Sequence, residues 1–229
     1  MKKILLTRLP QDNVDDCLYF QQKGFETVEI PLLELKRRVM GQSFEVMLKQ
    51  SEWVFLTSQH AAEFFFQQIS KRDVEQKKFA VIGEKTAQVL LANNVKLMFQ
   101  APRPTKKHLF EAWAACNREP TSILYPKSNL ADNLGESELI AKGHQLFTPI
   151  LYDNYVPQKN QQKLKTLLLA DKITSVYLAS PSLWQRFFAV FKNTTLKEMP
   201  MLYCLGETTR QAILKDGYEA IIKKAEKYS

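Results

Sequence analysis

Glycine is scarce in this chain, with seven among 229 residues, and no Gly-x-Gly-x-x-Gly turn can be assembled from them. That excludes the dinucleotide fingerprint of a Rossmann dehydrogenase. Proline numbers only ten, so collagen-like and low-complexity readings fall as well. The cysteines are three and far apart (Cys17, Cys116, Cys204), and His60, His108 and His144 are equally scattered. With no CxxC pair and no Cys/His cluster, neither a disulfide framework nor a structural zinc site is expected, and no metal is assigned. No apolar run approaches the roughly 20 residues of a bilayer span. The opening Met1-Lys2-Lys3-Ile4-Leu5-Leu6-Thr7-Arg8 holds three apolar residues in a row. That is too few for a secretory signal. It reads as a buried first strand of a cytoplasmic protein with no membrane partner.

What is abundant is lysine. The formal net charge is +8, from 32 Lys+Arg against 24 Asp+Glu. Such an excess attracts an anionic partner. Only 8 of the 32 are arginine, the residue suited to bidentate phosphate and guanine contacts, and no basic run exceeds three. No helix-turn-helix, RNP motif or zinc finger accompanies the charge. A small polyanion fits this charge as well as nucleic acid does, and without such motifs no nucleic-acid partner is expected.

The hydrophobic pattern alternates strand and helix. Strands are expected at 4–7, 25–30, 53–56, 79–82, 95–99, 123–125, 145–151, 176–178, 201–205 and 218–222. Helices are expected at about 15–22, 61–69, 86–92, 106–116, 134–142, 161–169, 183–191 and 209–215. This is the α/β class with parallel, doubly wound sheets. An internal repeat divides it. Trp53-Val54-Phe55-Leu56-Thr57-Ser58 lies over Ser175-Val176-Tyr177-Leu178-Ala179-Ser180 at an offset of 122 residues. Val81-Ile82-Gly83-Glu84-Lys85-Thr86 lies over Cys204-Leu205-Gly206-Glu207-Thr208-Thr209 at an offset of 123. The period is too long for a solenoid and implies two homologous domains that face each other across a cleft.

At these residues the sequence resembles the uroporphyrinogen-III synthase family. Leu6-Thr7-Arg8 followed by Pro10 looks like the family's LxTRP opening, and Pro31-Leu32-Leu33-Glu34-Leu35 like its P-L-I-x-I linker entry. Thr57-Ser58 stands at its F-T-S turn. Ile82 to Thr86 and Leu205 to Thr209 look like its two I-G-x-x-T turns, and Ser180-Pro181-Ser182 like its S-P-S turn. Leu151-Tyr152 matches the V-Y before the return linker. The resemblance covers about residues 3–225. Where the family usually has an Arg-Gly or similar turn, this chain has Pro126-Lys127-Ser128-Asn129, and the family's last helix is not expected after Ala225-Glu226-Lys227-Tyr228-Ser229.

The resemblance implies two doubly wound domains joined by a two-stranded linker. Domain one would be 1–33 plus 158–229, domain two 39–148, and 34–38 with 149–157 the paired linkers. It implies a lyase of haem biosynthesis, working as a monomer without cofactor, in transient contact with the enzyme that makes its substrate. That substrate is hydroxymethylbilane, a linear tetrapyrrole with eight carboxylates. Its terminal hydroxyl departs, the azafulvene attacks ring D at its substituted carbon, and a spiro intermediate rearranges to close the macrocycle with ring D inverted. Orientation is the main catalytic task. A proton donor assists hydroxyl departure, and Tyr152 is the expected donor, with Tyr155 its decoy. A phenol near pKa ~10 keeps its proton at neutral pH.

The turns at Thr57-Ser58, Gly83 to Thr86, Ser180 to Ser182 and Gly206 to Thr209 each follow a strand and open a helix. Ligands of open α/β sheets bind there, and first-turn amides welcome carboxylates. Thr57, Ser58, Thr86, Ser180, Ser182, Thr208 and Thr209 are thus the expected substrate contacts, joined by Arg8 at the end of the first strand and, at the family's turn after 123–125, by Ser128 and Asn129 as the resemblance implies. The same residues also serve as helix caps, and Arg8 can equally brace a loop. The alternative reading is a non-catalytic two-domain module that binds a small polyanion.

Overall fold

The structure, a computed structural model, describes residues 2–170 and 172–224. Strand β1 (Lys2–Leu6) passes through a 3-10 turn at Pro10–Asp12 into α1 (Val14–Gln22) and returns as β2 (Phe25–Glu29). Gly24 makes that return at φ +80°, a conformation that suits glycine. The chain continues through β3 (Glu34–Arg37), α2 (Gln42–Gln50), β4 (Trp53–Leu56), α3 (Gln59–Phe66), β5 (Lys78–Val81), α4 (Glu84–Ala92) and β6 (Leu97–Gln100). Next come α5 (Lys106–Cys116), β7 (Ser122–Leu124), β8 (Lys127–Ser128), α6 (Glu136–Ala141), β9 (Gln145–Phe147) and β10 (Ile150–Tyr155). The last stretch is α7 (Gln158–Leu169), β11 (Ser175–Leu178), α8 (Pro181–Lys192), β12 (Met201–Cys204), α9 (Glu207–Lys215) and β13 (Ala220–Ile222).

Two compact units result: Met1–Glu34 with Tyr155–Ser229, and Leu35–Asn154. The divisions fall inside β3 and β10, so most of the segments 34–38 and 149–157 count with the second unit. The first unit's sheet has the order β13-β12-β11-β1-β2, all parallel, with Leu5 beside Val176 on one flank and Val28 on the other. The second unit's sheet has the order β6-β5-β4-β7-β9, also all parallel. The two orders are the same once β4 to β6 is laid over β11 to β13, and β7, α6, β9 over β1, α1, β2. One sheet is thus a circular permutation of the other. The central strands β4 and β11 are buried on both faces, which is why they read as continuous apolar runs rather than alternating ones. In the first unit α8 and α9 lay Leu183, Trp184, Phe187, Phe191 and Ile213 on one face, while α1 covers the other with Tyr19 and Phe20. In the second unit α2, α3 and α4 cover one face, and α5 and α6 the other.

Several expected elements move. The strand expected over 145–151 is two strands, because Pro149 has no N–H to continue the ladder, and β10 pairs instead with β8 in a small sheet of order β3-β10-β8. Val95 belongs to the end of α4 rather than to a strand: its N–H bonds to the Leu90 carbonyl, after Asn94 turns at φ +57°. Helices α3, α4, α8 and α9 begin two residues before the expected starts, right after their caps. Helix α2 and the short strand β8 are additions, while β3 falls within the segment 34–38. The expectation about residues 225–229 lies outside the described residues. No helix among the described residues is long and apolar enough to cross a membrane.

Candidate active site

In the second unit, β4 is the switch point of the sheet. The chain winds from β4 through β5 to one edge and from β7 to β9 at the other. Crevices at the carboxyl ends of such neighbouring strands are where open α/β sheets take ligands. Thr57 and Ser58 leave β4 there, and Tyr125 leaves β7. The Tyr125 and Thr57 hydroxyls lie 3.4 Å apart. Ser58 caps α3, its Oγ accepting from the Ala61 N–H at 3.0 Å, and the Tyr152 hydroxyl lies 3.4 Å from the same Oγ. Tyr152 comes from β10, which β8 places alongside: Tyr152 pairs with Ser128, and the Asn129 N–H donates to the Tyr152 carbonyl at 3.1 Å. The Asn129 side chain accepts from the Asn154 N–H at 2.7 Å. Thr57, Ser58, Ser128, Asn129 and Tyr152 therefore share one end of the unit.

The Tyr152 ring is 6% exposed and lies on Phe64 with centroids 4.9 Å apart. Burial pushes its phenol above the usual value; the Ser58 and Ser128 side chains pull the other way, and Glu63 adds to the rise. Tyr125 is pushed up to about 12, chiefly by burial. Both phenols are thus protonated throughout the neutral range. Tyr155, by contrast, is 39% exposed, and its rise comes first from a hydrogen bond with Glu34.

In the first unit the corresponding switch point lies between β11 and β1. Ser180 caps α8, accepting from the Leu183 N–H at 3.3 Å, and its Oγ is 3.0 Å from that of Ser182. Arg8 is drawn inward: its guanidinium donates to the Asp16 carboxylate at 3.1 Å and to the Asp12 carbonyl at 2.8 Å. Lys223 shares Asp16 at 2.6 Å.

The four turns divide into two kinds. Ser58 and Ser180 use their hydroxyls as caps. Gly83 and Gly206 open α4 and α9 with no side-chain cap; the Thr86 and Thr209 N–H groups bond to the Gly83 and Gly206 carbonyls at 3.1 and 3.2 Å, and a ligand carboxylate can serve the two amides that precede each. Thr86 and Thr209, three residues in, are each 3% exposed. Thr208 is the exposed member of its turn, in a surface hollow with Pro181 and Glu207. Tyr125 and Lys127 were missed at the sequence level. Tyr125 ends an apolar strand and looks like core, and nothing local marks the distant Thr57 as its partner.

A sequence model described as uroporphyrinogen-III synthase HemD matches residues 18–228 of the chain. The chain belongs to the uroporphyrinogen-III synthase family. It is accordingly an enzyme, a cyclising lyase of tetrapyrrole biosynthesis that acts on hydroxymethylbilane. A protein from Chlorobaculum parvum named uroporphyrinogen-III synthase is 25% identical over 236 residues, covering 97% of this chain and 92% of its own length. The fold matches a mutant uroporphyrinogen III synthase from Thermus thermophilus at TM-score 0.71 and 12% identity, over 99% of this chain and 94% of that one. It also matches a Helicobacter pylori uroporphyrinogen-III synthetase at TM-score 0.64 and 16% identity, over 98% and 93% of the two chains. At those identities the synthase structures speak for the architecture alone.

Proposed function

We propose that Tyr152 protonates the departing hydroxyl of hydroxymethylbilane, and that the polar turns at the carboxyl edges of the two sheets hold its carboxylates. The observation that supports the first part is the hydroxyl constellation of Tyr152 and Ser58, 3.4 Å apart in a nearly closed environment. The pyrrole nitrogen pushes the electron pair that expels the hydroxyl. The phenol proton converts it to water, and the proton released when ring D regains its aromaticity restores the phenol. A phenol whose pKa is raised by burial holds the proton until the leaving group demands it.

The carboxylate-holding set is Arg8, Thr57, Ser58, Thr86, Ser128, Asn129, Ser180, Ser182, Thr208 and Thr209. Because Thr86 and Thr209 are buried, their turns contribute first-turn amides rather than these hydroxyls. We further take the enzyme to act as a monomer in the cytoplasm, a placement suited to its three free cysteines. It would receive hydroxymethylbilane by brief contact with the enzyme that makes it, since the free substrate closes spontaneously to the type I isomer.

The test is an assay that generates hydroxymethylbilane in situ and resolves type III from type I product. Tyr152→Phe should lower type III formation about 100-fold, with circular dichroism unchanged, and Tyr155→Phe should be nearly silent. Tyr152→Phe activity above half of the unmutated rate would overturn the assignment.

A further inference from the structure

Beside the site, a charged pair is sealed inside the second unit. The Lys127 and Glu136 side chains are 8% and 11% exposed, and the Lys127 Nζ lies 2.5 Å from Glu136 Oε1. The same ammonium donates to Asn133 Oδ1 at 2.8 Å and sits 5.5 Å from the Tyr125 ring centroid. Enclosing two charges is costly, and an apolar pair of similar volume often serves stability as well or better. Stability therefore gives no reason for an ion pair here.

Its location gives one. Lys127 is the first residue of β8, the two-residue strand that carries Ser128. The main chain of β8 is tied to the β10 side at Lys127 N–H to the Pro149 carbonyl, 3.0 Å, and at Asn129 N–H to the Tyr152 carbonyl, 3.1 Å. So short a strand does not hold its own register, and the pairing of β8 with β10 is irregular between Ile150 and Tyr152. The Lys127 side chain supplies the missing anchor by fastening β8 to the start of α6. A second lysine assists: Lys106 on α5 donates to the Asp132 carbonyl at 2.8 Å and to its carboxylate, holding the loop between β8 and α6.

We infer that Lys127 and Glu136 are positioning residues for the Tyr152 hydroxyl, acting through β8 and Ser128. This rests on the reading of Tyr152 as proton donor. Neither residue reaches the reacting atoms. Losing the pair lets β8 shift, so that the Tyr152 hydroxyl no longer meets the leaving group in a productive geometry, while the carboxylate contacts other than Ser128 and Asn129 are kept.

The experiment is a cycle in the type III assay: Lys127→Met in the unmutated enzyme and in Tyr152→Phe. We expect Lys127→Met to lower kcat about tenfold with KM changed less than twofold, and to have no further effect once Tyr152 is Phe. The double variant Lys127→Met with Glu136→Leu, which leaves no buried charge, should fold with the unmutated circular dichroism and still show the tenfold loss. Equal losses in both backgrounds, with Tyr152→Phe itself impaired, would overturn the inference and leave the donor assignment standing. A Tyr152→Phe enzyme of near-full activity would overturn the donor assignment and with it the inference. A double variant that regains full kcat, or that does not fold, marks the pair as structural only and also overturns it.

Discussion

The second unit closes its sheet with a helix where the first unit uses a ring. Helix α5 lays Leu109, Phe110 and Trp113 over Trp53, Phe55 and Ala80. No helix among the described residues of the first unit occupies the matching place. There the counterpart of Ala80 is Tyr203, and its ring packs on Phe20 and Phe25 at centroid distances of 5.4 and 5.9 Å. Alanine admits a helix close to the sheet; tyrosine covers the sheet itself. The cost shows at the edge, where Met201 and Ile221 are 52% and 51% exposed. The same asymmetry holds at the switch points. Ser58 and Ser180 are matched caps, but the chain leaving β2 through Ile30, Pro31, Leu32 and Leu33 has no phenol to set against Tyr152. Repetition preserved the capped turns, and the second copy brings a phenol, Tyr152, to one of them.

The sharpest break of this comparison is at Trp113, which is fully buried with its ring 4.9 Å from Phe55 and 5.2 Å from Trp53. Trp113→Ala should lower stability by about 3–5 kcal/mol in urea titration. Tyr203→Ala, which uncovers a half-exposed surface, should cost about 1–2 kcal/mol. Equal losses would mean that α5 is no more than a lid.

Tyr125 gives a smaller effect with a defined sign. Its folded pKa, about 12, lies above the ordinary phenol value of 10.0. The folded state therefore binds the proton more tightly than the unfolded one. The associated stability is whole below pH 10 and is lost as pH rises through 12. That loss should be on the order of 2 kcal/mol. Urea midpoints across this range should fall less steeply for Tyr125→Phe than for the unmutated protein; parallel curves would contradict the burial of a protonated phenol.

The serine caps give the smallest and most discriminating contrast. Ser58→Ala and Ser180→Ala should each cost about 1 kcal/mol of stability. Both hydroxyls belong to the proposed carboxylate-holding set, but only Ser58→Ala also removes a hydroxyl next to Tyr152, so it should slow type III formation the more, by less than tenfold. A Ser180→Ala enzyme slower than Ser58→Ala would move the chemistry to the first unit.

The fold was legible because strands buried on both faces write themselves as runs such as Trp53 to Leu56, and because those runs recur at a constant offset. What escaped was built from weak or distant signals. Helix α2 buries just Phe44 and Leu48 and has Gly41 as its cap, with no side-chain capping bond to announce it. Strand β8 is two residues long and exists only through its partners. In the site, Tyr152 was accessible through a motif of the family, whereas Tyr125 and Lys127 depend on Thr57 and Glu136, which local spacing does not link to them. The pairing of Arg38 with Asp153 across 115 residues shows the same limit. Arg8 carried two readings, and the Asp16 carboxylate accounts for one of them.

The permuted order of the first sheet also sets a timetable. Leu35–Asn154 is contiguous and can fold as soon as it leaves the ribosome. Strand β1 emerges first yet waits for β11, since Leu5 pairs with Val176. At roughly 5–20 residues per second, the stretch of about 170 residues between β1 and β11 takes roughly 10–30 s to add. Throughout that interval Ile4, Leu5, Leu6 and Phe20, all fully buried in the finished protein, have only β2 beside them. The first strand of this sheet thus waits for a neighbour made about 170 residues later.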